Sequence, residues 1–278
     1  MRGIQKVEFE GVAESEKNMD GHNEVIRESF TTQAAAFAKN PWVTDEERIQ
    51  RLVAAARLRG DERVLDVATG PGYIAEAFAR ESREAIGVDL TAAMLAIGEA
   101  RARERGVANV AFQIGDAENL PFADGEFNVV VSRLALHHVQ KPGRVVQEMA
   151  RVCGKNGLVL VEDIHASEHP GRAGYQNQWE ILRDPSHVRA MPVSELLFLF
   201  REAGLETDSI FTTENLCPDV ERWLATTKTP PDRAAEVRRL LRADRELDLS
   251  GTRPFVDENG RLFFHARTAI LTGRRVSA

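Results

Sequence analysis

Apolar residues early in the chain recur at helical spacing, and beyond residue 60 they gather into short unbroken runs. Ile49, Leu52, Val53 and Ala56 fall on one face of a helix expected over 45–59, with Gly60 placed to cap its end. Five apolar runs follow, at 63–68, 85–89, 110–114, 127–132 and 158–163. Runs without polar alternation suit strands covered on both faces, as in a parallel sheet. Between them, 73–80, 92–105 and 143–152 carry helical patterning, which predicts successive βαβ crossovers. A helix over 192–203, closed by Gly204, leads to a sixth strand near 206–212, and a last long strand spans 262–274. The expected architecture is α/β, a Rossmann-like doubly wound sheet of seven strands.

Three stretches break this rhythm. Residues 1–23 are polar and weakly patterned and read as a mobile leader, with a first amphipathic helix from about Glu24. The stretch 166–191 holds Pro170, Gly171, Gly174 and Pro185 around the aromatic pair Tyr175 and Trp179. The stretch 215–260 is charged and helical, interrupted at Thr229-Pro230-Pro231. The expected organisation is one domain over 24–278, with these two insertions and the N-terminal helices forming a lid.

Composition narrows the partners. Over 278 residues, 43% hydrophobic content suffices for a sizeable core. A net charge of −7 disfavours a nucleic-acid partner, which requires a concentrated basic face. Cys153 and Cys217 are far apart and in no metal-ligand spacing, so neither a disulfide nor a metal site is expected. The N-terminus lacks the apolar centre of a signal peptide, and no apolar run approaches membrane-spanning length, so the expected setting is the cytoplasm. A homodimer is left open.

The chemistry concentrates where strands end. Asp66 lies within the first strand, just before the turn, and the turn Thr69-Gly70-Pro71-Gly72 opens a helix whose free N–H groups favour an anionic group. Asp89 ends the second strand, placed to accept from both hydroxyls of a ribose or to cap the next helix. The glycine turn and Asp89 also suit a nicotinamide-dependent oxidoreductase. Asp66 argues against it, because a carboxylate there repels a pyrophosphate and attracts an ammonium. Asp116, within Gly115-Asp116-Ala117-Glu118-Asn119-Leu120-Pro121-Phe122, is placed to accept from an adenine amino group. No Tyr-x-x-x-Lys pair is evident.

Together with Phe127-Asn128-Val129-Val130-Val131-Ser132-Arg133-Leu134-Ala135-Leu136-His137-His138-Val139 and Gly157-Leu158-Val159-Leu160-Val161-Glu162-Asp163, these motifs resemble the class I S-adenosylmethionine-dependent methyltransferases. Within that class they resemble the broad type 11 family that includes the ubiquinone and menaquinone biosynthesis C-methyltransferases. The resemblance covers roughly residues 30–163, and the final strand resembles that family's last, antiparallel one. It implies S-adenosyl-L-methionine as cofactor and a small-molecule methyl acceptor. By position it implies that Asp66, Gly70 and Gly72 hold the methionine part, Asp89 with Leu90 the ribose, and Met94 the adenine face. Asp116 and Ala117 then meet the adenine edge, and the main chain at Ser132 and Arg133 completes the methionine pocket. Phe30, Gln33 and Phe37 close over it. The alternative in another class is a non-catalytic S-adenosylmethionine-binding protein.

Ubiquinone-type enzymes carry other residues where this chain has His137 and His138, so a quinone acceptor does not follow. The spacing of a magnesium-dependent catechol enzyme is also missing. His137, His138 and His165 are the candidate bases, since a neutral imidazole can take a proton near pH 7. Tyr175, Trp179 and His187 are candidates for the acceptor pocket, and Arg133 fits either an acidic substrate or a neighbouring carboxylate.

Overall fold

The strands β1 (Arg63–Val67), β2 (Glu84–Asp89), β3 (Val110–Ile114), β4 (Phe127–Arg133) and β5 (Cys153–Ile164) form the parallel part of one sheet. β6 (Leu205–Leu216), the two-residue strands β7 (Phe255–Val256) and β8 (Leu262–Phe263), and β9 (His265–Arg275) follow. The main sheet has the order β3-β2-β1-β4-β5-β9-β6, with β9 antiparallel to both neighbours. The seven strands and the antiparallel last one match expectation. The computed structural model describes residues 10–275, with side chains from residue 21 onward.

The order reverses at β1, whose successors in the chain lie on one side and β4 on the other. A ligand crevice forms at such a switch point, outside the carboxyl ends of the strands. The register brings those ends level, Val67 standing beside Val88 of β2 and Ser132 of β4.

Both faces of the sheet are covered, which explains the unbroken apolar runs. On one face Val64, Val129, Val131 and Leu160 meet Ile49, Leu52 and Phe78, from α3 (Glu46–Ala56) and α4 (Tyr73–Ala79). On the other, Leu65, Val130, Val159 and Val161 meet Met149, Leu196 and Phe200, from α6 (Pro142–Val152) and α8 (Val193–Glu202). Each fully buried aliphatic side chain contributes roughly 1.5–3 kcal/mol. The helix α5 (Ala92–Glu104) makes the remaining crossover. Helix α3 ends at Arg57, which takes the left-handed cap conformation at φ 50°, rather than at Gly60.

Helix α1 (Glu10–Phe37) begins well before the expected Glu24, so a helix replaces part of the expected leader, while residues 1–9 lie outside the described residues. The short α2 (Pro41–Thr44) turns the chain towards α3, with the Asn40 side chain accepting from Trp42 N at 3.0 Å. The stretch after β5 folds as α7 (Pro170–Arg183), and the charged stretch as α9 (Val220–Thr226) and α10 (Pro231–Leu247). They share an apolar core of their own, in which Trp179, Trp223 and Phe264 meet edge to face with centroids 4.9–5.5 Å apart. This satellite core sits above the sheet's carboxyl edge. No described helix is long and apolar enough to cross a membrane.

Candidate functional site

Two cavities open at the carboxyl edge. The first, about 980 Å³ including its mouth, runs along the ends of β1, β2 and β4 and under α1. Of the expected cofactor residues, Phe30, Phe37, Asp66, Gly70, Asp89, Leu90, Met94, Asp116, Ala117 and Arg133 line it. The second, about 780 Å³, lies between α1, α2 and the satellite core. Phe37, Val43, Leu134 and His138 belong to both walls, so the cavities are neighbours across a thin partition.

The floor of the first cavity is fixed by its carboxylates. Asp66, 1% exposed, accepts from the Ala75 N–H at 3.0 Å and from the Thr69 hydroxyl, tying the glycine turn to the start of α4. Burial pushes its pKa up to about 7, against the pull of those two donors. Asp89 accepts from Gly70 N and Thr91 N, both at 2.8 Å, so it holds the turn and the chain entering α5, whose N-cap is Thr91 rather than Asp89. Burial raises its pKa too. Gly70, at φ 54°, presents an open surface, with Phe37 Cε1 4.0 Å from where a Cβ would stand. Gly72 does not line the cavity: at φ 75° its missing Cβ makes room for the Phe112 ring, 2.5 Å from that position. Ala68 and Leu134, at φ 56° and 55°, hold left-handed conformations where β1 and β4 end.

Helix α1 closes the cavity from above. Asn23 donates to Asp116 at 3.0 Å, and His22 Nε2 lies 2.8 Å from the His138 carbonyl oxygen. Gln33 departs from expectation. It is buried and lines the second cavity, one helical turn beyond the Phe30 face. Ser132 also sits deeper than expected, donating its hydroxyl to the Val67 carbonyl at 3.0 Å.

Arg133 is committed to structure. Its guanidinium donates to Glu162 at 2.9 Å and to the carbonyls of Trp42 and Val43 at 2.9 and 3.1 Å. Arg48 reaches the other Glu162 oxygen at 3.2 Å and stacks on Trp42. Of the two readings of Arg133, the neighbouring carboxylate is the one found. This buried triad fastens α2, a wall of the second cavity, to the sheet.

The histidines separate sharply. His137 lines the second cavity and sets Nδ1 2.5 Å from Asp163 at the end of β5. Burial alone depresses an imidazole, but the Asp163 carboxylate outweighs it and raises the His137 pKa above the usual value. His138 and His187 are pushed down, first by burial and then by the charge on His137. The three rings lie 4.1–6.3 Å apart. His165 lines neither cavity: its Nδ1 lies 3.1 Å from the Ala166 carbonyl oxygen, and its main-chain N–H donates to the Arg267 carbonyl at 2.9 Å.

Among the expected acceptor-pocket residues, only His187 lines the second cavity. Tyr175 donates its hydroxyl to the Leu240 carbonyl at 2.9 Å, and Trp179 is fully buried in the satellite core. The aromatic wall is instead Trp42, Trp223, Phe37 and Phe264, with Glu180, Arg183 and Asp184 as its charged members. Burial lifts Glu180 to about 7. Asp163 closes a strand end, a position that itself signals function. Glu180 and Asp184 lie in a stretch whose pattern carried no such mark. Among the described residues, no His, Cys, Asp or Glu cluster is arranged to hold a metal ion.

Comparison with known proteins agrees with this geometry. A family model for the methyltransferase domain matches residues 58–204. The chain is 35% identical over 208 residues to the uncharacterized methyltransferase YcgJ of Bacillus subtilis, covering 75% of this chain and 82% of that relative. The YcgJ crystal structure matches with a TM-score of 0.76 at 31% identity, across 84% of this chain and 99% of that one. A solved protein of Bacillus halodurans matches with a TM-score of 0.79 at 29% identity, across 83% and 100%. Over 108 residues, 37% of this chain and 43% of the relative, it is 39% identical to the ubiquinone/menaquinone biosynthesis C-methyltransferase UbiE of Azotobacter vinelandii. The sheet order, the crevice at the switch point and these relatives agree: the chain belongs to the class I S-adenosylmethionine-dependent methyltransferases.

Proposed function

We propose that the first cavity holds S-adenosylmethionine and the second a small-molecule acceptor, and that the methyl group crosses their shared partition. The partition carries this reading, because Phe37, Val43, Leu134 and His138 face both spaces. Methyl transfer needs a nucleophile placed in line behind the methyl carbon, and such placement supplies most of the acceleration.

The residues present suit the cofactor. The bare surface at Gly70 admits a close-lying main-chain-like group, and Asp89 keeps lone pairs for ribose hydroxyls beyond its two backbone donors. Met94 offers an apolar face, and Asp116, which accepts from Asn23, has further lone pairs for an adenine amino group. When bound, S-adenosylmethionine supplies a methyl group on a sulfonium with a neutral thioether as leaving group. Asp66 serves first by fixing the turn, and only secondly as a charge near an ammonium.

The second cavity suits a flat, largely apolar acceptor with one polar end, between Trp42, Trp223 and Phe264 and the side chains of His137 and Glu180. The paired test is calorimetric titration with S-adenosylmethionine, then incubation with methyl-labelled cofactor and a metabolite extract. Saturable binding with no response to NAD, followed by a labelled small product, is expected. Binding without any labelled product supports a non-catalytic cofactor-binding protein instead.

A further inference from the structure

Asp184, Ser186 and His138 form a chain of hydrogen bonds that the cofactor and acceptor cavities do not by themselves require. The Ser186 hydroxyl lies 2.6 Å from Asp184 Oδ1 and 3.1 Å from His138 Nδ1. Ser186 and Asp184 are buried, and the Ser186 N–H donates to the same Asp184 oxygen at 3.0 Å. A hydroxyl has one proton. Burial disfavours a charged Asp184, but Arg183 and the two Ser186 donors, N–H and O–H, favour its ionised form, so it is an acceptor and Ser186 must donate to it. Ser186 then has only lone pairs for His138, and Nδ1 of His138 must carry the hydrogen. The neutral ring therefore has a bare Nε2, which has no hydrogen-bond partner among the described residues. That ring stands in the partition between the cavities, edge to face with Phe30 at 5.0 Å.

The adjacent histidine is biased the other way: the Asp163 carboxylate at its Nδ1 outweighs burial and raises the His137 pKa, favouring the protonated form that has no lone pair to offer.

We infer that His138, set in its Nδ1–H tautomer by the positioning pair Ser186 and Asp184, receives the acceptor's proton, so that the methylated atom is an oxygen or nitrogen bearing hydrogen. This rests on the second cavity being the acceptor site. The O–H or N–H bond breaks, its proton passes to Nε2, and the electron pair stays on the heteroatom as the nucleophile. The imidazolium left behind still donates through Nδ1 to Ser186, with the Asp184 charge behind it.

The first readout, the tautomer, needs neither acceptor nor cofactor. In ¹⁵N-histidine-labelled protein at pH 7, His138, assigned by its loss in His138→Gln, is expected to show a protonated Nδ1 and an unprotonated Nε2. Ser186→Ala is expected to abolish that preference, with a lower thermal midpoint from the lost hydrogen bond to Asp184, while S-adenosylmethionine affinity stays within about twofold. Label transfer into extract then falls at least tenfold. A wild-type spectrum with the hydrogen on Nε2, a cationic ring at pH 7, or an unchanged tautomer in Ser186→Ala overturns the inference. None of these outcomes touches cofactor binding, so a failure of the relay is distinguishable from a failure of the methyltransferase reading.

Discussion

The two cavities are built in opposite ways. The first draws its floor from consecutive strand ends and the turns that follow them, so each contributing residue sits in a short local pattern with a fixed place in the sheet. The second gathers Gln33, Trp42, His137, Glu180, Trp223 and Phe264 from five helical segments and the junction before the last strand. A crevice made by the sheet itself comes with the topology, whereas a pocket made by packing lid elements depends on long-range contacts.

The junction between the regions offers the largest expected effect. Glu162 neutralises Arg48 and Arg133, all three side chains being nearly buried. Glu162→Ala leaves two unpaired buried cations and is expected to lower stability by about 3–5 kcal/mol, enough to unfold much of the population. Urea unfolding checks it, and a loss under about 1 kcal/mol would mean the triad does not fasten α2 to the sheet.

Asp89→Ala comes next and belongs to the first region alone. Loss of hydrogen bonds to a charged acceptor costs about 1.5–3 kcal/mol, or roughly tenfold to more than a hundredfold in S-adenosylmethionine affinity. Calorimetry reads it directly. Unchanged affinity would remove Asp89 from the cofactor site.

The second region is sharpened by pH. Glu180, lifted to about 7 by burial, binds its proton more tightly in the folded than in the unfolded chain. Its contribution is therefore favourable below the unfolded value near 4.5 and is lost as pH rises towards 7. Glu180→Gln removes that titration, so the variant's thermal midpoint relative to wild type should climb between pH 5 and 8. A flat difference across that range would show that the carboxylate is already matched by Arg183.

The smallest effect separates lid packing from acceptor contact. Tyr175→Phe deletes one hydrogen bond, to the Leu240 carbonyl, and should cost about 1 kcal/mol without altering label transfer. Impaired transfer at unchanged stability would return Tyr175 to the acceptor wall.

These differences also explain what could be read before the fold was known. The sheet was legible because buried parallel strands leave uninterrupted apolar runs. β3 spans 110–114 as expected, and β1, β2 and β4 fall within one residue of expectation at each end. The strand-end carboxylates were legible for the same reason. The family resemblance implies cofactor roles for Gly72 and Gln33, but a glycine in a turn serves packing or ligand according to what lies opposite, and opposite Gly72 lies Phe112, while Gln33 lines the second cavity. His165, Tyr175 and Trp179 were misplaced because side-chain direction in an irregular stretch is set by tertiary contacts. Asp184 and Ser186 carried no pattern at all; their meaning appears only with His138 beside them.

The position of the cofactor's sulfur tests the two-cavity arrangement most directly. A crystal structure with S-adenosylhomocysteine is expected to place the ribose at Asp89, the adenine between Met94 and Asp116, and the sulfur facing the partition formed by Phe37, Leu134 and His138. A nucleoside seated among Trp42, Trp223 and Phe264, or a sulfur turned away from that partition, would contradict it.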